Sequence, residues 1–182
     1  MTSHPEHSGQ TITIFKVDPR EDAGLVVMSP SQNVDGSLED RHSAYHDNIS
    51  PPLTWDGVEG SQSYALVVED PDAPQEKPFV HWLIWNIPPE AGGLPEGVPL
   101  AEYIGSPHPI VQGRNDNGDY GWFGPKPPPG HGVHRYYFQV FALDQLIEMS
   151  PDTPLAELLN VLKGHTIAQG EMMATYEAPT RQ

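Results

Sequence analysis

Apolar side chains fall on both parities across residues 79–87, where only His81 and Asn86 interrupt a run of aromatic and branched residues. Such a run predicts a strand buried on both faces. Residues 133–143 are rich in aromatic and β-branched positions, and residues 61–69 contain Tyr64-Ala65-Leu66-Val67-Val68, so both predict strands. Residues 11–17 set Ile12 and Ile14 against Thr11 and Thr13, the period-two pattern of a half-buried strand. Residues 25–28 form a second short apolar run. Residues 29–50 are polar and read as a long loop or a short edge strand. Residues 88–129, broken by prolines and glycines, read mostly as loop.

One helix is predicted. Thr153 is its expected cap and Pro154 its first position, and Leu155, Leu158, Leu159 and Leu162 make one apolar stripe before Gly164. Residues 171–176 return as a strand or as a helical turn, and the pattern leaves both open. The expected fold class is mainly β: an antiparallel β-sandwich with one or two short C-terminal helices. Residues 1–10 are expected to be a flexible start, and residues 11–182 a single domain without internal repeats.

Composition supports short strands over long helices. Among 182 residues there are 21 prolines and 17 glycines, which punctuate turns and break helices. Hydrophobic residues at 37% and charged residues at 19% are those of a folded chain. With 25 acidic against 9 basic side chains the formal net charge is −16. That surface repels phosphate backbones and anionic membranes, so nucleic-acid binding is not expected. An anionic ligand needs a local, sheltered site. The absence of cysteine excludes disulfides and thiolate chemistry. No apolar stretch resembles a signal or a membrane span of roughly 20 residues, so a cytoplasmic location is expected.

Four segments combine residues that can carry chemistry. Residues 50–55 (SPPLTW) make a stiff entry to a strand. Residues 70–74 (DPDAP) read as a turn, yet Asp70 and Asp72 are spaced to hold an arginine or an imidazole. In residues 79–87, strict alternation puts His81 on the face of Phe79, Leu83 and Trp85. A buried histidine there needs a hydrogen-bond partner, for which Asp70 and Asp72 are candidates. Residues 124–138 (GPKPPPGHGVHRYYF) run from a stiff loop into a strand with His134, Tyr136 and Phe138 on one face and Arg135 and Tyr137 on the other. A rigid loop beside imidazole and phenol donors can cradle an anion.

Taken in order, SPPLTW, DPDAP, a histidine in an apolar strand ending at Asn86, and a proline-glycine loop closing on His134-Arg135-Tyr136 resemble the phosphatidylethanolamine-binding protein (PEBP) family. Residues 141–144 and the helix after them resemble its bacterial branch most, and the likeness runs from residue 12 to residue 176. The resemblance implies a sandwich whose pocket opens at one end, between the DPDAP turn and the proline-rich loop. It implies that Asp70, His81, His134 and Tyr136 line the pocket, that Pro127 and Pro128 form part of its wall, and that Asp72 and Arg135 brace the motifs. The ligands it implies are small anions and phospholipid head groups. Lys126 stands where many animal members carry glycine, which puts a cation near the rim.

The expected function is non-enzymatic binding of a small anion or phosphorylated head group, with regulation of a partner protein such as a kinase or protease. No cofactor or metal is expected, and a homodimer is allowed by analogy with bacterial members. Protonated or donor-oriented His81 and His134, with Tyr136, are expected to neutralise the anion, and binding is expected to strengthen as pH falls from about 8 to 6. The alternative is a hydrolase using the same His/Asp cluster, with or without a metal, although no nucleophile elbow is evident.

Overall fold

The computed structural model describes residues 11–22 and 24–180; the expected flexible start at residues 1–10 lies outside them. The strands are β1 (Val27–Met28), β2 (Leu53–Trp55), β3 (Ser63–Asp70), β4 (Phe79–Ile87), β5 (Gly93–Leu94), β6 (Tyr103–Ile104), β7 (Ile110–Gln112), β8 (His134–Leu143) and β9 (Thr166–Tyr176). A helix, α1 (Leu155–His165), precedes β9. A small sheet has the order β1-β2-β5 and a large one β6-β7-β4-β3-β8-β9, with every strand pair antiparallel. Among the described residues the protein is therefore mainly β, with two antiparallel sheets and one α-helix.

The large sheet is covered on both faces, which is why β3, β4 and β8 read as continuous apolar runs. On one face Tyr64, Leu66, Val68, Trp82, Ile84 and Phe138 pack with Val27, Leu53 and Trp55 of the small sheet. On the other, Ala65, Val67, Leu83, Trp85 and Phe141 meet Ile12, Ile14, Leu158 and Leu162. Gly170 in β9 allows the chain before β1 to lie close, because a Cβ there would sit 1.9 Å from the Leu25 carbonyl oxygen.

Several local expectations are corrected. Residues 13–16 form a 3-10 helix, not a strand. This segment crosses the face of the large sheet instead of joining an edge. Its N–H groups find side chains: Thr13 donates to Glu69 Oε1 at 2.8 Å and Ile14 to Gln139 Oε1 at 2.7 Å. Ile12 and Ile14 are buried as expected, but Thr13 is buried too. Residues 29–50 contain a 3-10 turn, Asp40–His42, and residues 88–129 contain three short strands.

At the helix, Pro154 occupies the cap position and no side chain caps it; Thr153 instead donates its N–H to Ser150 O at 3.0 Å. Of the leucine stripe, Leu158 and Leu162 are fully buried and Leu155 and Leu159 partly so. The helix runs through Gly164 to His165, and Thr166 closes it with Oγ1 on Leu162 O at 2.6 Å. Residues 171–176 belong to β9, so only one α-helix is formed among the described residues.

Candidate functional site

β4, β3 and β8 are neighbours in the large sheet, and their ends bring the chemical segments together. Asp70 closes β3, His81 lies early in β4, and His134 and Tyr136 open β8. These four side chains, with Pro127 and Pro128, border one cavity of about 230 Å³. Phe79 and Phe123 add apolar wall, and Lys126 stands exposed at the rim. None of residues 50–55 borders it. Ser50 instead accepts the Val98 N–H through Oγ at 2.9 Å, so SPPLTW acts as an entry to β2.

His81 keeps the company of Phe79 but not that of Leu83 and Trp85, the other residues alternation assigns to its face. Val68 faces Trp82 across the ladder but Glu69 faces Val80, which leaves His81 as the extra residue of a bulge. The bulge turns His81 away from Leu83 and Trp85, which lie in the outer cluster. Its ring meets Tyr136 edge-on, with centroids 5.1 Å apart, and packs on Phe79 at 4.7 Å.

The histidine partners also differ from expectation. His81 Nδ1 lies 2.6 Å from the Phe123 carbonyl oxygen, not on either aspartate. A carbonyl only accepts, so Nδ1 carries the proton. His81 is 3% exposed, and burial pushes its pKa down to about 4. The imidazole is therefore neutral from pH 6 to 8, and the expectation of a protonated His81 in that range is corrected.

Asp70 pairs with His134: Oδ2 accepts from Nδ1 at 2.7 Å, while Oδ1 accepts the Asp72 N–H at 2.7 Å. The DPDAP segment is thus a side-chain-closed turn that also holds an imidazole. Asp72 takes Arg135, accepting Nε at 2.9 Å, Nη2 at 3.0 Å and the backbone N–H at 2.9 Å. That two-pronged pair ties the turn to the first residues of β8.

Tyr136 is fully buried, and its hydroxyl has no hydrogen-bond partner among the described residues. Burial raises its pKa, so the phenol keeps its proton and stays a donor. An unmet buried hydroxyl costs about 1–3 kcal/mol, so a ligand that accepts from it recovers that cost.

Sequence reasoning passed over the residues that hold the loop. The Pro127 carbonyl accepts the Tyr45 hydroxyl at 2.6 Å, and Gly124 N–H donates to Asn48 Oδ1 at 2.6 Å. A Cβ at Gly124 would sit 2.0 Å from the His42 carbonyl oxygen, so only glycine permits that approach. It also passed over His131, whose Nδ1 lies 2.5 Å from His134 Nε2. The available signal was the GHG sequence, whose flanking glycines Gly130 and Gly132 take φ of 79° and 89° and present His131 over the strand end. Among the described residues no three of His, Asp and Glu are grouped to hold a metal ion. None of the described helices is long and apolar enough to cross a membrane.

A sandwich with a small pocket at the ends of three neighbouring strands defines a class of binding fold, and comparison with known proteins supplies the family. The phosphatidylethanolamine-binding protein profile matches residues 28–177, which span every site residue above. The UPF0098 protein of Methanothermobacter thermautotrophicus is 43% identical over 142 residues, covering 78% of this chain and 91% of its own. That of Aquifex aeolicus is 33% identical over 171 residues, covering 93% and 98%. Among solved structures, E. coli YbcL, described as a member of the mammalian PEBP family, superposes with a TM-score of 0.78 at 35% identity, covering 86% of this chain and 100% of its own. A PEBP homologue from Chlamydia trachomatis superposes with a TM-score of 0.75 at 32% identity, covering 86% and 99%. This chain belongs to the phosphatidylethanolamine-binding protein family.

Proposed function

We propose that the protein is a non-enzymatic binder of a small anion or phosphorylated head group, held in the cavity between Asp70, His81, His134 and Tyr136. The observation that carries this reading is Tyr136, which borders the cavity of about 230 Å³ and whose buried hydroxyl has no partner among the described residues. A phosphoryl or carboxylate oxygen is the acceptor it lacks, and that volume suits a head-group-sized ligand. Lys126 at the rim adds a cation to a molecule otherwise strongly acidic.

Calorimetric titration of the full chain with phosphate and with phosphorylethanolamine tests this. Saturable binding is expected in the wild type. It should weaken by at least tenfold in Tyr136→Phe, since a hydrogen bond to a charged acceptor is worth about 1.5–3 kcal/mol. If neither ligand gives saturable heat at millimolar concentration, the anion reading fails.

The Asp70–His134 pair favours a second reading as a hydrolase, because a carboxylate-oriented imidazole is the general-base arrangement. Turnover of an activated phosphomonoester, lost in His134→Gln, is the result that reading requires.

A further inference from the structure

The end of the large sheet away from Asp70 and His134 carries a depression of its own. β3 begins there, and β4 and β8 finish there, with Ser63 opposite Leu143 and Tyr64 opposite Ile87. Past β8 the chain folds back over these strand ends, and two side chains hold it. Asn86 donates from Nδ2 to the Ile147 carbonyl at 2.9 Å and accepts the Ile147 N–H on Oδ1 at 2.7 Å. Ser63 Oγ donates to the Gln145 carbonyl at 2.6 Å. Asn86 does this with φ of 59°, a left-handed conformation that asparagine adopts more readily than most residues. The depression is thus shaped by the fold, and a partner has little backbone to order there.

It consists of two hollows that share Leu146, Ile147 and Glu148. The first, of about 370 Å³, is walled by Pro88, Pro89, Pro109 and Val111. The second, of about 630 Å³, continues to Met149 and to Val161 of α1. Leu146 borders both and is 50% exposed. Proline rings are rigid and bring no N–H, so this wall offers apolar contact at a low cost in side-chain entropy.

The charge around the hollows has one sign. Glu90 borders the first and Glu148 both, and both side chains are exposed. No lysine or arginine borders either hollow among the described residues. The described arginines are engaged elsewhere: Arg20 on Asp144, Arg41 on Glu39 and Glu96, Arg114 on Asp152 and Arg135 on Asp72. An apolar floor with a carboxylate rim complements an apolar side chain flanked by cations. It repels nucleic acid and anionic bilayers, as does the net charge of −16. We propose that this end of the sheet docks a basic peptide segment of a partner protein. One large apolar side chain enters between Pro88, Pro109 and Leu146, and flanking lysines or arginines lie against Glu90 and Glu148. This goes beyond the anion reading and does not depend on it.

The test follows the fluorescence anisotropy of the labelled peptide KKRWLKKR titrated with the full chain. EEDWLEED keeps its apolar centre and reverses the charge, and KKRSSKKR keeps the charge without the apolar centre. The first peptide should bind about tenfold more tightly than either control at about 0.05 M salt, and more weakly at about 0.5 M. Equal binding of either control, or no binding of KKRWLKKR at millimolar concentration, would overturn the proposal. Leu146→Ser and Glu148→Lys alter exposed side chains and should each weaken binding by about tenfold. Val133→Ser, at an exposed apolar position on the opposite end of the sheet, should bind as wild type does. A loss in Val133→Ser equal to that in Leu146→Ser would place the peptide elsewhere and overturn the assignment. Amide NMR shifts on titration should centre on residues 86–90, 108–111 and 146–148; shifts centred on residues 70–81 and 124–136 would contradict it. Sedimentation that shows a wild-type dimer dissolved by Leu146→Ser would assign the hollows to a second copy and overturn the peptide reading.

Discussion

At the scale of single residues, Tyr136 and Arg135 are neighbours in sequence with opposite energetic roles. The Tyr136 hydroxyl is buried and unpaired, so Tyr136→Phe removes an unmet polar group and should leave thermal stability unchanged or slightly raised while weakening anion binding. Arg135 holds Asp72 through two side-chain hydrogen bonds, with side chains 20% and 13% exposed. Arg135→Met leaves that carboxylate short of its partner and should cost about 2 kcal/mol. Thermal denaturation of the two variants side by side checks both, and equal losses would argue against the bracing role.

His81 links the site to pH. Its folded-state pKa of about 4 lies below the ordinary value near 6.5. Between those values the unfolded chain takes up a proton that the folded chain refuses. Stability is therefore full above about pH 6.5, falls as pH drops through the window, and levels off below about pH 4, a loss of roughly 3 kcal/mol. Glu69 works in the opposite direction, because burial raises its pKa and favours the protonated acid in the fold. The His81 contribution is isolated by comparing denaturant midpoints of wild type and His81→Gln from pH 7 to 4.5: the variant should show the shallower decline, and parallel curves would contradict the assignment.

Among elements, the longest strands depend on close backbone approach. β9 runs 11 residues beside β8, and the segment leading into β1 packs onto it at Gly170. Gly170→Ala forces a Cβ against the Leu25 carbonyl, where backbone on both sides must move, and should cost about 1–3 kcal/mol. A midpoint unchanged from wild type would show that the entry to β1 yields easily.

At the same scale, residues 79–87 were legible to their ends, because local pattern and tertiary burial agree there. Residues 11–17 were misread because alternation is only a local sign of burial. It does not reveal that the segment lands on a sheet face whose Glu69 and Gln139 side chains satisfy its N–H groups. β9 was half-read, since the helix runs through Gly164 to His165 and the strand begins directly at Thr166.

For the molecule as a whole, the site exists because one sheet places β3 between β4 and β8. Asp70 thereby reaches His134 at a separation of 64 residues. The order of the motifs and the apolar runs of the central strands were readable from the chain alone, whereas the grouping of Asp70, His81, Pro127, Pro128, His134 and Tyr136 around one pocket was implied only by the family resemblance of those motifs. The motifs and the runs are carried by residue type and short-range spacing. Only the tertiary structure decided that a bulge turns His81 from the outer face towards Tyr136, that Phe123 and not an aspartate takes its proton, that His131 covers His134, and that the Tyr136 hydroxyl has no partner. Except for the local His131–His134 contact, those features depend on strand register and on groups tens of residues apart, and pairing across such distances is set by the packing of the whole sheet rather than by any local pattern.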